Sequence, residues 1–180
     1  MTSRDKGIAS GVAGVAALCL WLFQCSIGGT DKTYNETQAI ARLRQYQTAQ
    51  FMFQEMGSEG EGRFAARLPD LYNPPGMPGQ KLIPQGMAKA WGGSPAPEPY
   101  DGYLFLELKT KADGSPVSFE GEFGLCAYPA KPGKTGDIIY LLLLDGMTPE
   151  LWARKCETGM SLPVTVWPTP EELNRSYRAF

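Results

Sequence analysis

A run of 21 residues without a charged side chain, Gly7–Ile27 (GIASGVAGVAALCLWLFQCSI), most constrains what this chain can fold into. At about 1.5 Å of rise per residue, a helix of this length spans about 30 Å, the hydrocarbon thickness of a bilayer. Its many small residues suit close packing against other helices in lipid. The run therefore predicts a transmembrane or signal helix over residues 7–28, preceded by a short cytoplasmic leader, residues 1–6.

Three interpretations of this segment are open. Its length and flanks favour a retained single-pass anchor. Ser26-Ile27-Gly28 is an acceptable small-x-small site, so the segment also fits a cleaved secretory signal. A lipoprotein signal ending at Cys25 is disfavoured, because Phe23 and Gln24 are poor residues before a lipidated cysteine.

The flanking charges predict an orientation. Arg4 and Lys6 precede the segment, with Asp5 between them, whereas Asp31 and Lys32 follow it and cancel. Basic residues stay on the cytoplasmic side of a membrane. We therefore expect a single-pass protein of the inner membrane whose C-terminal domain, residues 29–180, is periplasmic or extracellular.

Composition excludes several function classes. With 17 Lys and Arg against 19 Asp and Glu, the chain has no basic field for nucleic acid. It contains no histidine, which removes Ser-His and Cys-His nucleophiles and nearly all histidine-ligated metal sites. We predict no catalytic residue, no cofactor and no small-molecule substrate, and expect a protein that is not an enzyme.

Two of the four cysteines, Cys126 and Cys156, belong to the C-terminal domain. On the oxidising side of a membrane they predict a disulfide that closes a loop of about 30 residues and contributes about 3–4 kcal/mol. Two buried free thiols are the alternative. The spacing is not that of a Cys-x-x-Cys redox or zinc site.

The elements after the membrane segment begin with a long amphipathic helix. Asn35 is expected to be its N-cap, with Gln38 as the capping-box partner, and Gly57 to end it after Met56. The predicted buried stripe follows a spacing of three or four residues. It consists of Ile40, Leu43, Tyr46, Ala49, Phe53 and Met56.

Strand patterns follow in the second half of the domain. The run Asp137–Leu144 is apolar on both faces and is expected to be the central strand. Thr169-Pro170-Glu171-Glu172 is a helix start, and that helix is expected to end the chain. The remaining predicted strands are Tyr103–Lys109, Val117–Phe119, Phe123–Tyr128, Leu151–Cys156 and Pro163–Trp167. Helices first and strands after indicate an α+β domain with an antiparallel sheet.

Several local phrases share this order. They are Ala39–Arg44 with Ala49-Gln50, then Gly62–Leu71, Asp101–Leu106 and Ala127–Gly146. Together with the short leader ending Lys6-Gly7, they resemble the type IV pilins and the pseudopilins of type II secretion. The chain differs from that pattern at Val12, where prepilins usually carry a glutamate at the fifth mature position.

The resemblance implies a fold and a role. It implies an α+β pilin-like domain in which a long N-terminal helix packs on an antiparallel sheet. It also implies leader cleavage between Gly7 and Ile8, and contact with other subunits of the assembly through Gly7–Ile27. Some pseudopilins hold calcium near the sheet, and Asp145 and Glu150 are weak candidates for such a site, since calcium needs about six to eight oxygens.

Three functions follow from these patterns. The first is a non-enzymatic structural subunit of a bacterial envelope assembly. The second is a monomeric, envelope-anchored binding or scaffolding domain with a pilin-like fold that does not polymerise. The third is a histidine-free cell-wall hydrolase, which would need two carboxylates about 5–10 Å apart in a cleft.

Overall fold

A computed structural model of the protein describes residues 31–57, 62–157 and 159–180. The chain divides into two units, Met1–Asp31 and Lys32–Phe180, and the domain described below is the second. The predicted leader, the predicted cleavage position at Gly7 and Ile8, and the predicted membrane segment Gly7–Ile27 lie outside the described residues. Within the part of the chain that is described, no helix is both long enough and apolar enough to cross a membrane.

The second unit begins with helix α1, Lys32–Met56. The long helix predicted from the sequence is confirmed, but it begins four residues before the predicted start. Asn35 lies inside the first turn, 1% exposed, and is not the N-cap. Asn35 instead bonds to a neighbouring loop. An asparagine near the start of a helix looks the same in the sequence whether it caps the helix or bonds to a loop, so its role was mispredicted.

The buried face of α1 matches the predicted stripe only in part. Leu43, Tyr46 and Ala49 are buried as predicted, whereas Met56 is 40% exposed. Ile40 and Phe53 are only partly buried against the core. The buried face instead continues through the polar residues Asn35 and Gln50, which the hydrophobic pattern does not reveal.

The strands of the described residues are β1 Tyr103–Glu107, β2 Thr110–Lys111, β3 Glu122–Pro129, β4 Ile138–Asp145, β5 Pro149–Lys155, β6 Val166–Trp167 and β7 Arg178–Ala179. Five of them form an antiparallel sheet at the centre of the domain, in the order β1-β3-β4-β5-β7. β4 is the middle strand, as the apolar run predicted. The two short strands β2 and β6 pair separately and in parallel.

Both faces of the sheet are covered. Phe123, Leu125 and Ala127 of β3 belong to a core shared with α1, whereas Cys126 and Tyr128 belong to a second core. Because successive side chains of a strand point to opposite faces, these two sets mark an inner and an outer face. The outer face is covered by residues of the C-terminal segment, Trp167, Leu173 and Tyr177.

Three short helices complete the domain: α2 Leu68–Tyr72, α3 Gln85–Lys89 and α4 Pro170–Ser176. The predicted start of α4 is confirmed, since the Thr169 hydroxyl accepts a hydrogen bond from the Glu172 amide and Pro170 is at the first helical position. Two expectations are wrong. α4 does not end the chain, because β7 follows and pairs with β5. Val117–Phe119 is not a strand.

The predicted disulfide between Cys126 and Cys156 is also wrong, since both are free thiols. Cys126 is on β3 opposite Leu141, whereas Cys156 follows β5 and bonds through its amide to the Asp137 carbonyl. β4 therefore runs between the two cysteines. They are also offset along the strand direction, because Cys126 is level with Leu141 and Cys156 is level with Asp137. Residues on two strands that are separated by a third lie about 9.5 Å apart across a sheet, which exceeds the Cα separation of about 4.4–6.8 Å that a disulfide spans.

Candidate functional site

The first three turns of α1 contact two loops, residues 100–102 before β1 and residues 131–137 between β3 and β4. We call this contact the helix–loop junction. At its start, the Lys32 ammonium lies 3.0 Å from an Asp137 carboxylate oxygen, and the Glu36 carboxylate accepts a hydrogen bond of 2.8 Å from the Asp137 amide. One loop residue is thus held by two residues one turn apart on the helix.

Asn35 makes the buried contact of the junction. Its side-chain amide donates a hydrogen bond of 2.9 Å to the Thr135 carbonyl. Gly102 lies against the same amide with a positive φ of 77°, and a Cβ there would come within 2.6 Å of the Asn35 side-chain nitrogen. Both the φ angle and the close approach require glycine at this position.

Arg42 forms the third contact, about two helical turns after Asn35. Its Nε and Nη2 atoms donate to the same Asp101 carboxylate oxygen at 3.1 and 3.0 Å. The guanidinium also lies 4.6 Å from the centre of the Tyr100 ring, within cation–π range. Asp101 has a φ of 51°, which is strained for a non-glycine residue and which this ion pair holds in place.

Tyr103 joins the two loops beneath the helix. Its hydroxyl donates a hydrogen bond of 2.9 Å to the Ile138 carbonyl, at the start of β4. Burial raises the pKa of Tyr103, so the phenol stays protonated and keeps this bond. Gly136 lies directly against the Tyr103 hydroxyl, with no room for a Cβ. The junction therefore continues from α1 into both β1 and β4.

A second set of polar contacts holds the other end of α1. The Gln50 side chain accepts from the Ala65 amide at 2.7 Å and donates to the Ala65 carbonyl at 2.9 Å, as a neighbouring strand would. The buried Glu107 carboxylate accepts from the Leu68 amide and, at 2.9 Å, from the Trp91 indole. Burial raises the pKa of Glu107. These contacts tie the irregular middle of the chain to the helix and sheet.

A separate concave region lies on the outer side of the sheet. We call it the outer groove; it is open to solvent and has a volume of about 650 Å³. Three separate parts of the chain line it: β2 with the residues just after it, the β4–β5 hairpin, and the segment from Trp167 to Asn174. Asp145 and Glu150, the weak calcium candidates, are both on its wall.

The structure does not complete a calcium site around them. Within residues 31–57, 62–157 and 159–180, no group of three or more Asp, Glu, Cys or His side chains is arranged to hold a metal ion. The Glu150 carboxylate instead accepts a hydrogen bond of 3.1 Å from the Trp152 indole. Because calcium needs about six to eight oxygens, the two carboxylates are not sufficient, and the calcium candidate is not supported.

Sequence reasoning missed most of the junction. Arg42, Asp101 and Gly102 were noted only as parts of phrases, and Asn35 was assigned to a helix cap. Asp101-Gly102 before a strand is a turn signal, and a helix arginine off the apolar stripe is a candidate partner for its carboxylate. Nothing in the sequence pairs the two across about 60 residues.

Comparisons of the chain with protein-family models, with curated proteins and with solved structures found no match in any of the three.

Proposed function

We propose that this chain is a membrane-anchored, non-enzymatic structural subunit of a bacterial envelope assembly, of the pilin or pseudopilin type. In this proposal residues 7–27 remain in the inner membrane and pack against other subunits, while the folded domain faces the periplasm or the exterior. The observation that carries the proposal is the helix–loop junction, which fastens the helix nearest the apolar segment in sequence to the sheet.

The junction suits a mechanical role. A subunit that is held by its N-terminal segment and loaded through its head must pass force from α1 into the sheet. Asn35 and Arg42 make contacts from the helix to loops that lead directly into β4 and β1. Force that arrives along α1 is thereby shared between the central strand and an edge strand, through side chains that are buried or partly buried.

A second candidate function is favoured by the outer groove. An envelope-anchored domain that binds a ligand and does not polymerise would need a concave surface with both apolar and polar lining, and the groove has both. This candidate shares the anchor and the fold with the first, and differs from it in predicting no contact between membrane segments of neighbouring copies.

The mature N-terminus separates these candidates. We would express the full-length chain in a Gram-negative host, extract it from membranes and measure its intact mass. A chain beginning at Ile8 is expected for an assembling subunit whose leader is removed. A chain with Met1 intact favours the monomeric anchored domain, and one beginning near Gly29 contradicts both, because the head would then be free of the membrane.

A further inference from the structure

The outer groove has an apolar base and aromatic walls. Leu143 and Leu173 line it and are almost fully buried, and Trp167 is only 8% exposed. Trp152 lines it from β5 and is partly exposed. The volume of about 650 Å³ is within the range of about 300–1,000 Å³ that small-molecule sites occupy.

Polar groups of both kinds are set around this aromatic surface. Carboxylates of Asp113, Asp145 and Glu150 supply acceptors, and the Asn174 amide supplies a donor and an acceptor. The Trp152 indole is oriented by its bond to Glu150, which fixes the ring relative to one acceptor. Aromatic surface bordered by mixed donors and acceptors matches a ligand with apolar C–H faces and hydroxyl edges.

The charge of the groove excludes anionic ligands. Lys111 is the only basic side chain among the lining residues, and its ammonium lies 2.6 Å from the Glu122 carboxylate. That hydrogen bond raises the pKa of Lys111, so its ammonium stays charged and paired with the Glu122 carboxylate. Asp113 and Asp145 also interact with this ammonium, but the three lining carboxylates outnumber it and Glu122 shares its charge. The described lining is therefore net negative, and phosphates or uronates would be repelled.

We propose that the outer groove binds a short saccharide made of neutral or amino sugars. The C–H face of a pyranose ring packs on the Trp152 indole, and its hydroxyl groups bond to Asp145, Glu150 and Asn174. The proposal goes beyond the structural role and does not depend on assembly, since every lining residue belongs to one copy of the chain.

Calorimetric titration of the full-length chain tests this proposal. The protein is held in a detergent with a polyoxyethylene head group, because glycosidic detergents would compete for the groove. The probes are three trisaccharides of different charge: neutral tri-N-acetylchitotriose, cationic chitotriose and anionic trigalacturonate. We expect binding of one or both of the first two, and an affinity for trigalacturonate at least tenfold weaker.

Variants locate the binding. Trp152→Ala is expected to weaken the affinity at least tenfold, and Asn174→Ala, at an exposed rim position, by about three- to tenfold. Tyr34→Ala is the matched control, because Tyr34 is an exposed aromatic of α1 that does not line the groove, and it should leave the affinity unchanged.

Three results would overturn the proposal: no binding of any trisaccharide, equal binding of trigalacturonate, or an affinity that Asn174→Ala and Trp152→Ala both leave unchanged. If Trp152→Ala does not fold, the Asn174→Ala result decides alone. Because binding is measured on the isolated chain, its failure is distinct from a failure to assemble in the membrane.

Discussion

Arg42 couples α1 to the turn before β1 through an ion pair and a stacked ring. The Asp101 carboxylate accepts hydrogen bonds from two N–H groups of the Arg42 guanidinium, and the Tyr100 ring stacks on the face of that guanidinium. The two charged side chains are 23% and 21% exposed, so the pair is screened less than a surface ion pair but is not isolated from water. The contact also holds the positive φ of Asp101.

Replacing Arg42 should therefore destabilise the domain. We expect Arg42→Ala to lower the free energy of unfolding by about 1–2 kcal/mol, as lost charge-assisted hydrogen bonds do. The measurement is urea unfolding of the full-length chain followed by tryptophan fluorescence. Arg44→Ala, two residues away at an exposed position, is the control and should stay within about 0.5 kcal/mol of the parent.

Glu107 predicts a pH dependence with a definite sign. Burial raises its pKa in the folded protein, so the folded protein binds the proton more tightly than the unfolded chain. Its stabilising contribution is complete below its ordinary pKa and is lost as the pH rises through the raised value. The Glu107→Gln variant lacks this titration, so its stability deficit should be largest in acid and shrink as the pH rises. Unfolding measured between about pH 4 and pH 8 gives the difference.

Asp113 is a control, because its contribution to stability should change with pH in the opposite direction. Hydrogen bonds from the Ser115 hydroxyl and amide lower the pKa of Asp113. Its contribution is present above its ordinary pKa and is lost as the pH falls through the lowered value. The deficit of Asp113→Asn should thus shrink below about pH 4, so this pair of proteins is also measured down to about pH 2. A Glu107→Gln deficit that shrinks in acid as well would contradict the assignment for Glu107.

At the scale of elements, strand register decides the state of the cysteines. β4 separates Cys126 from Cys156, and burial raises the pKa of the Cys126 thiol to about 12. In a variant with Cys19→Ser and Cys25→Ser, the chain unfolded without reductant should expose two alkylatable thiols, counted by mass. A count of zero would show a disulfide and would contradict the register of the sheet.

The packing of the 131–137 loop against β1 makes a second prediction at this scale. A Cβ at Gly136 would overlap the Tyr103 hydroxyl, so we expect Gly136→Ala to cost about 1–3 kcal/mol of unfolding free energy. Gly121→Ala is the control, since nothing lies within 4 Å of a Cβ there. It should leave stability unchanged or raise it by up to about 1 kcal/mol. Equal effects of the two substitutions would contradict the packing.

A helix or strand could be predicted from the sequence when its own residues determine its structure. The long helix was predicted from apolar residues three or four apart, and β4 from a short apolar run followed by a turn, so the local sequence of each was sufficient to predict it. β2, β6 and β7 are two residues long and exist because partners lie beside them, so β2 and β7 were missed. The start of α1 was misplaced because Asn35 bonds to a loop about 100 residues away, which no local pattern shows.

At the scale of the whole molecule, the two candidate sites have different origins. The helix–loop junction joins two loops to the helix next in sequence to the apolar segment. Arg42, Asp101 and Thr135 lie in the sequence motifs named above, whereas Lys32, Asn35 and Glu36 lie outside them. The outer groove is built from three distant segments, because the C-terminal residues return to cover the outer face of the sheet. The sequence predicted a sheet with a helix on one face and gave no signal for this second layer.

The proposed subunit assembles through its predicted membrane segment, Gly7–Ile27, and Cys19 and Cys25 lie in that segment. The most direct measurement is oxidative crosslinking of the full-length chain in intact membranes, resolved on non-reducing gels. A reducible dimer is expected for the parent and for a Cys126→Ser, Cys156→Ser variant, and it should disappear when Cys19 and Cys25 are both replaced by serine. A chain that stays monomeric under these conditions would contradict the proposed role as an assembling subunit.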